Sequence, residues 1–65
     1  MNTKKIGATL RDLRGKRTRE EVANAIGVSV SAVAMYEIGE RVPKDSVKTK
    51  YAKFFGKTVE EIFFN

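Results

Sequence analysis

Gly15, Gly27, Gly39 and Gly56 punctuate the chain at short intervals, and the apolar residues between them recur at helical spacing. Such a chain has to be built from short helices. Ile6, Leu10 and Leu13 fall at i, i+4 and i+7 and predict an amphipathic helix from about Lys4 to Arg14, ended by Gly15. Thr18-x-x-Glu21 is a capping box, in which a hydroxyl and a carboxylate satisfy amides of the first turn. It opens a second helix with Val22, Ala23 and Ile26 on its inner face and Gly27 at its end. Ser29 caps a short third helix in which Val33 and Tyr36 face the core, and Gly39 stops it.

After the loop Glu40-Arg41-Val42-Pro43, Asp45 or Ser46 is expected to cap a fourth helix, with Val47, Tyr51, Phe54 and Phe55 at i, i+4, i+7 and i+8 and Gly56 closing it. Thr58-x-x-Glu61 is a second capping box and opens a fifth helix in which Val59, Ile62, Phe63 and Phe64 are apolar. No strand pattern, internal repeat or linker interrupts the series. The expected fold is all-α, a compact five-helix bundle forming one domain over residues 1–65.

A domain of 65 residues buries only roughly 60% of the surface its unfolded chain exposes. The chain has no cysteine and no histidine, so disulfides and the usual zinc ligands are missing, and helix packing helped by dimerisation must supply stability. Met1-Asn2-Thr3-Lys4-Lys5 is charged like the opening of a signal peptide, but Arg11, Asp12 and Arg14 intervene before any apolar run forms. No apolar stretch approaches the roughly 18 residues of a membrane span. The expected location is cytoplasmic.

Enzymatic chemistry is not expected either. There is no histidine or cysteine to act as base or nucleophile and no glycine loop to cradle a phosphate, and nothing implies a metal or cofactor. Glu20-Glu21 and Glu60-Glu61 pair carboxylates, but in first helical turns, where they complement the helix dipole. RNA binding would need an exposed aromatic platform for stacking bases.

The net charge of +5 points to an anionic partner, and its distribution says more than its total. Lys4, Lys5, Arg11, Arg14, Lys16, Arg17 and Arg19 face only Asp12 in residues 1–19. Residues 20–40 carry Glu20, Glu21, Glu37 and Glu40 and no basic side chain. Arg41, Lys44, Lys48, Lys50, Lys53 and Lys57 then face only Asp45. Basic blocks thus flank an acidic middle.

Two short helices joined by a turn can present one of them to a DNA major groove if they cross closely at a steep angle. That crossing needs a small residue, the turn needs a residue tolerant of positive φ, and the inward positions must be apolar. Counting from Arg19, Ala23 and Gly27 fill the two special positions, and Val22, Ile26, Val28, Val33 and Tyr36 fill the inward ones.

In these residues the chain resembles the lambdoid phage repressor and Cro family of helix-turn-helix proteins, the XRE type. The matching stretch runs from Thr18 to Ser29, through Tyr36-Glu37-Ile38-Gly39-Glu40-Arg41-Val42-Pro43, and into Tyr51-Ala52-Lys53-Phe54-Phe55-Gly56 and Thr58-Val59-Glu60-Glu61-Ile62-Phe63. The resemblance implies a transcriptional regulator, expected to be a repressor, whose second and third helices form the helix-turn-helix. It places residues 30–38 in the major groove of double-stranded DNA, with Ser29, Val30, Ser31, Ala34 and Met35 facing bases and Thr18 and Arg19 touching phosphates.

By the same resemblance Arg41 and Lys44, in the loop after the reading helix, grip the DNA backbone, with Lys4, Lys5 and Lys48 as further candidates. Lys16, Arg17, Lys50 and Lys53 read as solvated charges. Where Arg19 stands the family commonly has a glutamine that bonds a phosphate and braces a base-reading side chain; arginine keeps the first role and not the second. The connection Gly15-Lys16-Arg17 is about two residues shorter than is usual in the family. Allowing for that, Arg14 falls where relatives often pair an arginine with the glutamate at Glu37.

Base edges are usually read by Arg, Lys, Asn or Gln, which form paired hydrogen bonds. None occurs between residues 29 and 38. The expected readout is therefore thymine methyl contacts from Val30, Ala34 and Met35, hydroxyl contacts from Ser29 and Ser31, bridging water and DNA shape. Two alternatives stand beside it. Val30, Ala34 and Ile38, at i, i+4 and i+8, could be core residues, or the stripe could bind protein, as in an antitoxin or a regulator captured by a partner. Phe54 and Phe63 are expected in the core, and Ile62-Phe63-Phe64-Asn65 as a homodimer surface matched to a two-fold operator with half-sites about one helical turn apart.

Overall fold

Each helix begins where a short polar side chain can take up an orphan amide, with one exception. In the computed structural model, which describes residues 2–64, α1 (Thr3–Arg14) starts one residue earlier than its apolar period suggests, because Asn2 Oδ1 accepts from the Lys5 amide at 3.0 Å. Met1 and Asn65, the latter part of the expected dimer segment, lie outside the described residues. Both expected capping boxes form. In α2 (Arg19–Ile26) the Glu21 amide donates to Thr18 Oγ1 at 3.1 Å and the Thr18 amide to Glu21 Oε1 at 3.3 Å; in α5 (Val59–Phe63) the equivalent distances at Thr58 and Glu61 are 3.1 and 3.0 Å. The Thr58 amide and hydroxyl hold the Glu61 carboxyl below its usual range.

Ser29 Oγ accepts from the Ala32 amide to open α3 (Val30–Glu37). The exception is α4 (Asp45–Phe55). Neither Asp45 nor Ser46 caps it: Lys44 is the N-cap, its carbonyl accepting from the amides of Val47 and Lys48, and Asp45 sits in the first turn, where its charge suits the helix dipole. Among the described residues there is no strand.

The core is filled by Ile6 and Leu10 of α1, Val22, Ala23 and Ile26 of α2, Val33 and Tyr36 of α3, Val47, Tyr51 and Ala52 of α4, and Ile62 and Phe63 of α5. Tyr51 lies at its centre, with the rings of Tyr36, Phe55 and Phe63 each about 6 Å away. Phe54 is not in the core. Phe55, one turn beyond Tyr51, stacks on that ring, which leaves Phe54 at the rim with the Arg17 guanidinium 5.4 Å from its ring centre. Arg17 is accordingly engaged with aromatic surface rather than simply solvated.

Ile62 and Phe63, two of the three described residues of the expected dimer segment, are buried within the chain's own core, because α5 lies against both α1 and α4. Phe64 alone of them remains exposed. Gly7, in the middle of α1, lies at a close crossing of α1 with α3. A Cβ built there would lie 2.3 Å from the Glu37 carbonyl oxygen and 2.8 Å from that of Tyr36, so α1 rests directly on the last turn of α3.

Candidate nucleic-acid interface

The turn between α2 and α3 follows from Gly27, whose φ of 72° and ψ of 37° lie in the left-handed region that side chains avoid. Below it Ala23, Val22, Ile26, Val33 and Tyr36 are buried and Val28 is partly so. That packing fixes which side of α3 is left outside. Val30 is 42% exposed and Ile38, which caps α3, is 55% exposed; Ser29 and Ser31 are exposed, while Ala34 and Met35 are partly covered. Val30 and Ile38 are therefore not core residues, and the uncovered side of α3 is apolar apart from two hydroxyls.

The single charged residue of α3, Glu37, points inward, its side chain only 2% exposed. Arg14 Nε donates to Glu37 Oε2 at 2.7 Å and Arg14 Nη2 to Oε1 at 3.2 Å, a bidentate pair joining α1 to α3. The hydrogen bond to Glu37 also holds the Arg14 guanidinium more firmly protonated than usual, against the opposing effect of burial. Arg14 Nη1 donates to the Arg17 carbonyl at 2.9 Å, which secures the short α1–α2 connection. Arg19, from the first turn of α2, also reaches this carboxylate, its Nε 3.1 Å from Oε1.

Around the apolar side the basic residues divide. Arg41 and Lys44 are exposed in the loop after α3, and Lys4 and Lys5 are exposed at the start of α1. The backbone of Lys4 abuts Gly39, so the start of α1 and the loop lie side by side. Lys48 does not join them. It is buried, with its Nζ 3.7 Å from Asp45 and 4.9 Å from the Phe64 ring centre, because its stem runs toward α5 rather than toward the loop. Thr18 uses both its amide and its hydroxyl in the capping box.

Three features of the site do not follow from the helical pattern of the sequence. Gly7 carried a signal, since glycine inside a helix is disfavoured and a close crossing explains it. Arg19 also carried one, as the departure from the family's glutamine, but its attachment to Glu37 depends on tertiary geometry. The exposure of Val42 followed from nothing in the pattern.

These elements define a helix-turn-helix domain, and the chain belongs to that family: the sequence model of the helix-turn-helix family matches residues 8–62. Among curated proteins, the chain is 44% identical over 59 residues to the cryptic phage CTXphi transcriptional repressor RstR of Vibrio cholerae, a match covering 88% of this chain and 53% of the repressor. It is 39% identical over 46 residues to an uncharacterized HTH-type transcriptional regulator of Methanocaldococcus jannaschii, covering 71% of this chain and 70% of that protein. The chain thus spans about half the length of the Vibrio repressor. No solved structure gives a significant match. Among the described residues no cluster of acidic side chains forms a metal site, and no helix is long and apolar enough to cross a membrane.

Proposed function

We propose that this chain is a sequence-specific, double-stranded DNA-binding transcriptional regulator, acting as a repressor, that inserts α3 into the major groove. The observation that carries this reading is the uncovered side of α3, mounted on the helix-turn-helix, with partly exposed Arg19 at the start of α2 and exposed Arg41 and Lys44 in the loop after α3. The basic residues grip phosphates, which fixes register without reading sequence. Val30, Ala34 and Met35 meet thymine methyls, and Ser29 and Ser31 make hydroxyl contacts; the Ser29 oxygen accepts from the Ala32 amide, so its own O–H remains for the DNA. Repression is supported by the likeness to a protein named as a repressor.

The active unit is a homodimer on a two-fold operator. Support comes from exposed Phe64, which with Asn2, Lys5, Ile6, Thr9, Ile62 and Phe63 lines a groove of about 410 Å³. An exposed ring on the wall of a groove suits an isologous contact, in which the same surface of each copy meets that of the other.

One observation favours a second reading. Val30, Ile38 and Val42 are exposed apolar side chains near one another in sequence, as a protein-binding stripe would need. Selection of duplexes from a random pool, followed by mobility shifts, separates the two. A recovered consensus bound well above scrambled DNA supports the regulator; no enrichment after repeated rounds supports the protein-binding stripe and overturns the DNA reading.

A further inference from the structure

Glu37 is the buried carboxylate on which three helices meet, and the two arginines that share it are used differently. Arg14 spends all three nitrogens of its guanidinium within the protein, two on Glu37 and one on the Arg17 carbonyl. Arg19 gives only its Nε to Glu37, and its terminal nitrogens donate to nothing among the described residues. Its side chain is 41% exposed where that of Arg14 is 18% exposed. The carboxylate carries one negative charge against two positive ones, so a full positive charge remains, and the guanidinium with unused donors is the outer one.

We infer that Glu37 is a positioning residue for DNA-backbone binding: it holds Arg19 by its inner nitrogen so that the terminal nitrogens are presented to a phosphate at the start of α2. The proposal rests on the DNA-binding reading and assigns a role to a residue that never touches DNA. Its chemistry depends on the guanidinium. A planar group with Nε on one edge and two terminal nitrogens on another can bond a carboxylate and a phosphate at once. The single nitrogen of lysine cannot span both in this geometry. Arg14 is needed as well, because without its bidentate hold the carboxylate would draw the terminal nitrogens of Arg19 inward. Val30, at the start of α3, offers no side-chain acceptor for a brace, and Arg19 is anchored at the other end of that helix, on Glu37.

The test is the affinity for a selected duplex across a range of salt concentrations, using the wild-type chain, Arg19→Ala, Arg19→Lys, Glu37→Gln and the Arg19→Ala/Glu37→Gln double variant. Arg19→Ala should flatten the slope of log affinity against log salt by about 0.9, the value of one lost phosphate contact. Glu37→Gln should weaken binding about tenfold with Arg19 present and have no such effect in the Arg19→Ala background, since residues acting through one another are not additive. Arg19→Lys should keep the wild-type salt slope yet bind more weakly. Equal losses from Glu37→Gln in both backgrounds would mean that Glu37 acts through the fold alone and would overturn the inference. Should Glu37→Gln fail to fold, the partly exposed Arg19 decides: Arg19→Lys binding as tightly as wild type overturns the inference, and weaker binding at unchanged slope upholds it. A wild-type chain that binds no duplex removes the DNA reading itself, a different failure from a wild type that binds while Arg19→Ala keeps its slope.

Discussion

Gly7 reverses an ordinary rule of helix chemistry. Replacing an exposed helical glycine with alanine normally stabilises by about 1 kcal/mol, but here the new methyl would collide with the carbonyls that end α3. Gly7→Ala should therefore lower stability by about 1–3 kcal/mol in denaturant melts, as overpacking does; an unchanged or higher midpoint would mean that the crossing is looser than described. Tyr51 poses the opposite case. Its hydroxyl is buried and, among the described residues, has no hydrogen-bond partner, and burial, with Glu37 nearby, raises its pKa above the usual tyrosine value. Tyr51→Phe should hold or raise the melting temperature, because it removes an unpaired polar group. In the unfolded chain this phenol ionises near pH 10, whereas in the folded chain it stays neutral to higher pH. Its contribution is thus intact below about pH 10 and declines as pH rises above it, so Tyr51→Phe should lose stability less steeply with alkali than wild type. Helical spacing marked Tyr51 as inward without telling what its hydroxyl would meet, and Gly7 was marked only by being a glycine inside a helix, which does not say which element crosses there.

The helices themselves were legible because their starts are chemical rather than statistical. A threonine three residues before a glutamate satisfies amides on both sides, and both such pairs open helices. The fourth helix was placed less well, since backbone carbonyl bonding at Lys44 does what a capping side chain was expected to do. Sequence also separated the inner from the outer side of α3 at Val33 and Tyr36, and left Val30 and Ile38 undecided until the neighbouring helices were in place. An outer side so poor in hydrogen-bonding groups makes a specific demand on its target. Replacing thymine with uracil in a selected operator removes methyl groups and no hydrogen-bonding group. Affinity should fall at one or more positions by a factor of several, within the range of about 1–3 kcal/mol that a mismatched pair costs; unchanged affinity at every position would end the methyl-contact account of Val30, Ala34 and Met35.

The chain has no cysteine to crosslink its short helices, and Phe64 is exposed on a groove of mixed polar and apolar lining that a second copy would cover. Phe64→Ser should yield a monomer in sedimentation and weaken binding to a two-fold operator far more than to an isolated half-site. A wild-type chain that sediments as a monomer both free and on DNA would exclude the dimer and leave the helix-turn-helix reading intact. That central reading depends on the whole assembly: an uncovered α3, basic residues before and after it in the chain, and a buried Glu37 that joins the helices behind it. It is tested most directly by measuring the wild-type chain's affinity for its selected duplex and for a scrambled duplex at two salt concentrations. Both affinities should fall steeply with salt, while the selected duplex stays at least about a thousandfold tighter, as base reading on top of phosphate binding requires. Equal affinity for the two duplexes, or no binding at either salt, would contradict that reading.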